Sequence, residues 1–304
     1  MREKGIRCIL LYGRFLFYCY FITTELRRGY RMIDINEREF RQFADYIRTN
    51  YGIRFKNEKK TMVAGRLNRV MESMKMSSLT EYMDYVKEDV TGQAASVMLD
   101  RLTTNYTYFM REAEHFTFLK ERVLPYLVKT VKDRDLRIWS AACSTGEEPY
   151  TLAMILDEFF GWDKTEWDTD ILATDLSEGA LTAARAGIYS KESILELPAP
   201  WRRKYFRPYD ADHVTLCNEI RKKVTFGKVN LVAPAFPFRR KMHVIFCRNV
   251  MIYFDEETKE GLVQRLYDIT EPGGFLFTGH SEGLNREKIP YRYVMPAVYR
   301  KEQK

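Results

Sequence analysis

Glu147 and Glu148 stand side by side after a lone glycine, Gly146, within residues 137–156, RIWSAACSTGEEPYTLAMIL. An apolar run (Ile138, Trp139, Ala141, Ala142) ends in Cys143, Ser144, Thr145 and Gly146, and apolar residues at helical spacing follow (Leu152, Ile155, Leu156, Phe159). That pattern predicts a strand, a tight turn and a helix. In a doubly wound α/β sheet such a first turn borders the crevice where a nucleotide-like ligand sits. A dinucleotide fingerprint needs three glycines there, so that backbone amides can reach a pyrophosphate; only Gly146 is present. Two carboxylates on the first helical turn, followed by Pro149, would also repel a phosphate. They suit a ligand carrying positive charge beside an adenosine, as S-adenosylmethionine does with its ammonium and sulfonium. The alternative is that the pair only complements the helix dipole.

Further candidates lie on either side. Residues 101–112, RLTTNYTYFMRE, are dense in hydroxyls and aromatics and poor as helix or strand. Such a segment between two domains is a natural lid over the crevice at their junction. Thr103, Thr104, Asn105 and Thr107 can bond a ligand or their own backbone, and helix capping alone would account for the threonines. Arg111, the only cation of the segment after Arg101, suits two-pronged binding of a carboxylate. Asp175 ends a short apolar strand over residues 171–176, where such folds bind ribose hydroxyls. Asn230, followed by Leu231, closes a strand over residues 223–230, and its amide suits an adenine edge. Arg248, Asn249 and Tyr253 follow from the run MHVIFCRN, whose continuous apolar character marks a buried parallel strand over residues 242–249.

The elements that must position these residues fall into two domains, as 304 residues allow. Residues 32–102 form a helical amino-terminal domain. Phe40, Phe43, Ala44 and Ile47 make one stripe, and Val63, Leu67, Val70, Met71 and Met74 another. Residues 103–115 are the linker, and residues 116–304 an α/β domain of repeated strand and helix, with a mostly parallel sheet. Residues 188–222, broken by Pro198, Pro200 and Pro208, read as a small β insertion with a strand pair. Pro272-Gly273-Gly274 closes the helix at residues 256–269 before a strand at residues 275–278, and a hairpin flanking Pro296 ends the chain.

The formal charge is +7, but seven Arg/Lys against two Glu give residues 1–31 a share of +5, leaving +2 for the rest. A nucleic-acid substrate is therefore not expected. Residues 1–31 read as an extension upstream of a true start at Met32. Their apolar stretch, residues 8–23, is interrupted by Arg14 and short of the ~20 residues a membrane span needs, although an anchor is the alternative. The five cysteines are scattered, with no CxxC pair, so neither a disulfide framework nor a metal site is expected and a reducing cytoplasm fits. Between residues 54 and 75 cations outnumber acids; Arg54, Lys59, Lys60, Arg66 and Arg69 are either a solvated face or a docking patch for an acidic partner.

Taken in order, LTTNYTYFMRE, WSAACSTGEEPY, ATDLS, VNL, FCRNVMIYF and GGFLFTGHSE closely resemble the chemotaxis receptor glutamate methyltransferases of the CheR family, from about residue 33 to residue 300. The resemblance implies an S-adenosylmethionine-dependent methyltransferase sheet with a small β insertion, preceded by a small all-α domain. It implies esterification of glutamate side chains on cytoplasmic helices of methyl-accepting chemotaxis receptors, with S-adenosylhomocysteine as the other product. Cofactor contacts of the family map to Asn105, Thr107, Arg111, Glu148, Asp175, Asn230, Leu231, Arg248 and Asn249, and Arg111 and Tyr253 match the residues nearest the transferred methyl. Met110 stands where an aromatic is usual, and the insertion is short for a member that tethers a receptor tail peptide.

A glutamate with a pKa of about 4.3 is ionised at neutral pH and needs no general base. Accordingly the motifs hold no catalytic His or Cys pair; the dispersed His115, His213, His243 and His280 read as structural. Arg111 is expected to orient the acceptor carboxylate and the Tyr253 hydroxyl to lie near the sulfur. Under the resemblance the cationic run becomes a receptor-docking patch, and a monomer is expected. The rival reading is a catalytically silent S-adenosylmethionine-binding interaction module.

Overall fold

The computed structural model describes residues 33–161, 166–285 and 287–303; the expected extension over residues 1–31 lies outside them. Helix α1 (Glu37–Tyr51) starts at a capping box, Asn36 accepting from the Glu39 amide while the Glu39 side chain accepts from that of Asn36. After a 3-10 turn, Asn57–Lys59, come α2 (Lys60–Ser73), α3 (Leu79–Glu88) and α4 (Gln93–Leu102). Phe40, Phe43, Ile47, Val63, Leu67, Met71, Leu79, Tyr82 and Met98 meet in one core. Ala44, Val70 and Met74 sit at its margin, while Ala64 and Asn68 are buried instead.

The chain then runs through α5 (Ala113–Phe118), a π turn and α6 (Leu124–Thr130) into a sheet. Its strands are β1 (Ile138–Ser140), β2 (Ile171–Asp175), β6 (Val224–Lys228), β7 (Met242–Phe246), β8 (Thr270–Phe277), β9 (Arg292–Met295) and β10 (Val298–Arg300). The order is β6-β2-β1-β7-β8-β10-β9, parallel from β6 to β8 and antiparallel in the last two pairings. Helices α7 (Glu147–Phe160), α8 (Glu178–Ala186) and a long helix at Glu256–Asp268 connect them. Every residue of β7 is buried, as a central strand covered on both faces requires. Strand order reverses between β1 and β7, so the crevice lies beyond the carboxyl ends of those two strands.

Two expectations change. The insertion is a three-stranded antiparallel sheet, β3 (Ile188–Ser190), β5 (His213–Leu216) and β4 (Phe206–Pro208). The strand over Phe206–Pro208 was hidden by Pro208, which an edge strand tolerates. Pro272, Gly273 and Gly274 lie inside β8 rather than before it. Pairing with β7 jumps from Met242–Thr270 to Val244–Phe275, and that bulge absorbs a proline without a donor and two glycines. Among the described residues no helix is long and apolar enough to cross a membrane.

Candidate active site

At the carboxyl end of the sheet, the helical domain, the linker and the turns after β1, β2, β6 and β7 enclose a cavity of about 240 Å³. Asn105, Thr107, Arg111, Glu148, Asp175, Asn230, Leu231, Arg248, Asn249 and Tyr253 all line it, as do Arg54, Lys59 and Arg66. Lys60 and Arg69 do not; Lys60 pairs with Glu37 at 3.1 Å and Arg69 lies on an exposed face.

The turn after β1 is built for close approach. Ser144 (φ 48°) and Gly146 (φ 97°) take the left-handed conformation, and a Cβ on Gly146 would come within 3.0 Å of Ala184 and of the Tyr189 hydroxyl. Asp175 reaches across from β2: its carboxylate accepts from the Ser144 amide at 2.8 Å and the Ser177 amide at 2.9 Å. Burial pushes its carboxyl above the ordinary range, against those amides. Asn105 joins the same corner, donating to the Ser177 hydroxyl at 3.3 Å while its carbonyl accepts from Ser144 Oγ at 3.0 Å.

The two acids that open α7 part company. Glu147 is buried away from the cavity and accepts from Thr145 Oγ1 at 2.7 Å, so the expectation that both acids face a ligand is corrected. A helix places consecutive side chains about 100° apart, and only one of the pair can face the crevice. Glu148 lines it, accepting from Ser140 Oγ at 2.7 Å and Arg248 Nη1 at 2.9 Å; burial raises its pKa and Arg248 and Ser140 oppose the rise.

Arg248, with a side chain only 1% exposed, is the strut of the site. Its guanidinium bridges Glu148 and Glu112, the latter at 3.1 Å, donates to the Arg111 carbonyl and packs over Phe116. Glu112, in the left-handed region at φ 59°, also accepts from Asn249 Nδ2 and the His280 amide, each at 3.2 Å. Burial raises the Glu112 carboxyl, but Arg248, Asn249 and His280 outweigh it and the pKa ends below the ordinary value. Sequence reading passed over Glu112, although it follows Arg111 directly.

Two of the histidines, distant in sequence, meet here. The rings of His115 and His280 are 4.7 Å apart, and among the described residues they and Glu112 form a cluster with ligand-type atoms within 4.8 Å. Its carboxylate is already engaged by Arg248. His115 is fully buried, and burial with the neighbouring Arg248 pushes its pKa down to about 4.

On the opposite lip the side chains are freer. Arg111 Nη1 donates to the Tyr106 carbonyl at 2.9 Å, and its guanidinium lies 6.0 and 5.9 Å from the Tyr106 and Tyr108 rings; none of these partners is an acid. Tyr253 sits on a 3-10 turn, 38% exposed, and its carbonyl accepts from the Arg54 amide at 2.8 Å. Asn230 donates to the Asn50 carbonyl at the end of α1, at 2.7 Å. Arg66 donates to the Leu102 carbonyl and to Thr104 Oγ1 at 3.2 Å, tying the helical domain to the linker.

This donor set suits S-adenosylmethionine: Asp175 and Glu148 supply acceptors, Asn105, Asn230 and Asn249 supply amides, and Leu176, Val229 and Leu231 an apolar wall. Family models agree with that chemistry. The all-alpha domain of the CheR methyltransferases matches residues 38–103, and their SAM binding domain matches residues 105–299. A chemotaxis protein methyltransferase of Borreliella burgdorferi is 36% identical, over 88% of this chain and 96% of its own length. Chemotaxis protein methyltransferase 1 of Pseudomonas aeruginosa is 37% identical over 84% of this chain and 93% of its own. The Escherichia coli chemotaxis protein methyltransferase is 33% identical over 91% and 95%. With both domain models matched and relatives alike over nearly their whole length, the chain belongs to the CheR methyltransferase family and is an S-adenosylmethionine-dependent methyltransferase.

Proposed function

We propose that the chain esterifies glutamate side chains on the cytoplasmic helices of chemotaxis receptors, leaving glutamyl methyl esters and S-adenosylhomocysteine. The observation that carries this reading is Arg111: a guanidinium lining the cavity, steadied by a carbonyl and two tyrosine rings, with no acid among those partners. A carboxylate acceptor suits that guanidinium in charge and in its two-pronged geometry.

S-adenosylmethionine, when bound, supplies an electrophilic methyl on a positively charged sulfur. A carboxylate would take that methyl with the carbon–sulfur electron pair left on sulfur, so no residue of the chain would have to move a proton. Because the acceptor is ionised at neutral pH, the chain's task is alignment. Asp175 and Asn230 would hold the ribose and adenine, Glu148 and Asn105 the amino acid end, and Arg111 the incoming carboxylate, with the Tyr253 hydroxyl close to the reacting atoms. Arg54 and Lys59, at the cavity wall, suit the acidic surface of a receptor helix; Lys60, Arg66 and Arg69 would add to the field around it.

Incubation of the purified chain with receptor-containing membranes and methyl-labelled S-adenosylmethionine tests the reading. Label should enter the receptors and leave as methanol in mild alkali, the mark of a carboxyl ester. Alkali-stable label, or none from a protein that binds S-adenosylhomocysteine, would overturn the glutamate acceptor.

A further inference from the structure

Glu282 lies in the GHSE segment that follows β8, is 2% exposed and does not line the cavity. One carboxylate oxygen, Oε2, accepts from the Asn249 amide at 2.7 Å and the Gly279 amide at 2.6 Å. The other, Oε1, accepts from the Ile252 amide at 3.2 Å. The Asn249 and Ile252 amides belong to a stretch that leaves β7 at Phe246 and reaches no further helix longer than one 3-10 turn until Glu256, while Gly279 lies in Glu282's own segment after β8. Buried backbone N–H groups without a partner are costly, and here a side chain replaces the missing ladder. Asn249 is held in the left-handed region at φ 58°, with its amide on Glu282 and its side chain on Glu112.

Gly279 supports the same assignment. A Cβ there would lie 2.5 Å from Asn249 Nδ2, 2.8 Å from Glu282 Oε2 and 3.0 Å from the Asn249 amide, so the segment approaches closely only because this residue is glycine. We infer that Glu282 is a positioning residue for methyl transfer: its buried carboxylate clamps the loop that carries Asn249 and Tyr253, and so sets the Tyr253 hydroxyl against the reacting atoms. The part that concerns Tyr253 rests on the function proposed above. An acceptor-only group is required, because three N–H donors converge on two oxygens. In Glu282→Gln the amide can keep the Asn249 and Gly279 end, but it turns its own N–H groups on the Ile252 amide and releases the Tyr253 end.

Backbone exchange and a double-mutant cycle test this. In the wild type the amides of Asn249, Ile252 and Gly279 should exchange slowly, like those of the sheet; exchange as fast as in open loops would overturn the clamp whether or not any variant folds. In Glu282→Gln, residues 250–254 should exchange at least ~10-fold faster while α2 is unchanged. Turnover should fall about 10- to 100-fold, with S-adenosylhomocysteine affinity within about 3-fold. In a Tyr253→Phe background the same substitution should cost less than about 3-fold more, because both act through one hydroxyl. Full additivity would overturn the action through Tyr253. Wild-type turnover by Tyr253→Phe would instead overturn the role proposed for Tyr253, and the exchange data would still decide the clamp.

Discussion

The two lips of the cavity are made differently. Around the turns after β1 and β2, Asp175, Ser144 and Ser177 are tied by bonds to backbone amides, and Arg248 is locked between Glu112 and Glu148. On the other side, Arg111 has a carbonyl and two rings, Tyr253 is 38% exposed and Tyr106 71% exposed. Under the proposed function the ordered side would take the cofactor, since each group frozen in advance costs nothing on binding. The freer side would take an acceptor carried on another protein, which the proposed function puts at Arg111.

Substitutions should separate the two sides. The largest effect is expected for Arg248→Met, which removes the guanidinium that bridges the half-buried carboxylates of Glu112 and Glu148. A loss of about 3–5 kcal/mol in stability follows from breaking such a network, measurable by denaturant unfolding; a loss under ~1 kcal/mol would make Arg248 a ligand contact rather than a strut. Asp175→Ala should come next, weakening S-adenosylhomocysteine about 10- to 100-fold through lost bonds to a charged group, with the fold retained. Calorimetric titration reads this directly.

Acid should act through the buried histidines. Burial holds His115 and His243 down to about 4, below the ordinary 6.5 of the unfolded chain. The unfolded state therefore binds the extra protons between about pH 6.5 and pH 4. Stability present above that window is lost as pH falls through it, by up to about 1.4 kcal/mol per pH unit for each histidine. Unfolding curves of His243→Gln against wild type should show a shallower slope in that range; equal slopes would remove His243 from the account. The smallest effect is expected at the rim, where Arg54→Ala combined with Lys59→Ala should raise KM for receptor about 3- to 10-fold and flatten its salt dependence. S-adenosylhomocysteine affinity should stay the same.

Much of the ordered side of the cavity was legible in the sequence because it is local. Strand, turn and helix around Gly146, and the acid ending β2, follow from periodicity and from residues adjacent in the chain. What escaped depends on partners far apart: Glu112 with Arg248, Glu282 with the Asn249 loop, His115 with His280, and Arg66 with the linker rather than with solvent. The neighbouring acids Glu147 and Glu148 look equivalent in sequence, and only the direction of the helix separates them. Pro272 and its glycines read as punctuation because a bulge inside a strand carries the same composition as a loop.

The most direct test of an acceptor side left open for a carboxylate is Arg111→Ala, assayed for methyl transfer to receptor membranes alongside S-adenosylhomocysteine titration. Turnover at saturating cofactor should fall about 10²- to 10³-fold, the loss typical of a charge-orienting donor, while cofactor affinity changes by less than about 10-fold. Unchanged turnover would contradict the assignment of Arg111, and a loss confined to cofactor affinity would move Arg111 to the other lip.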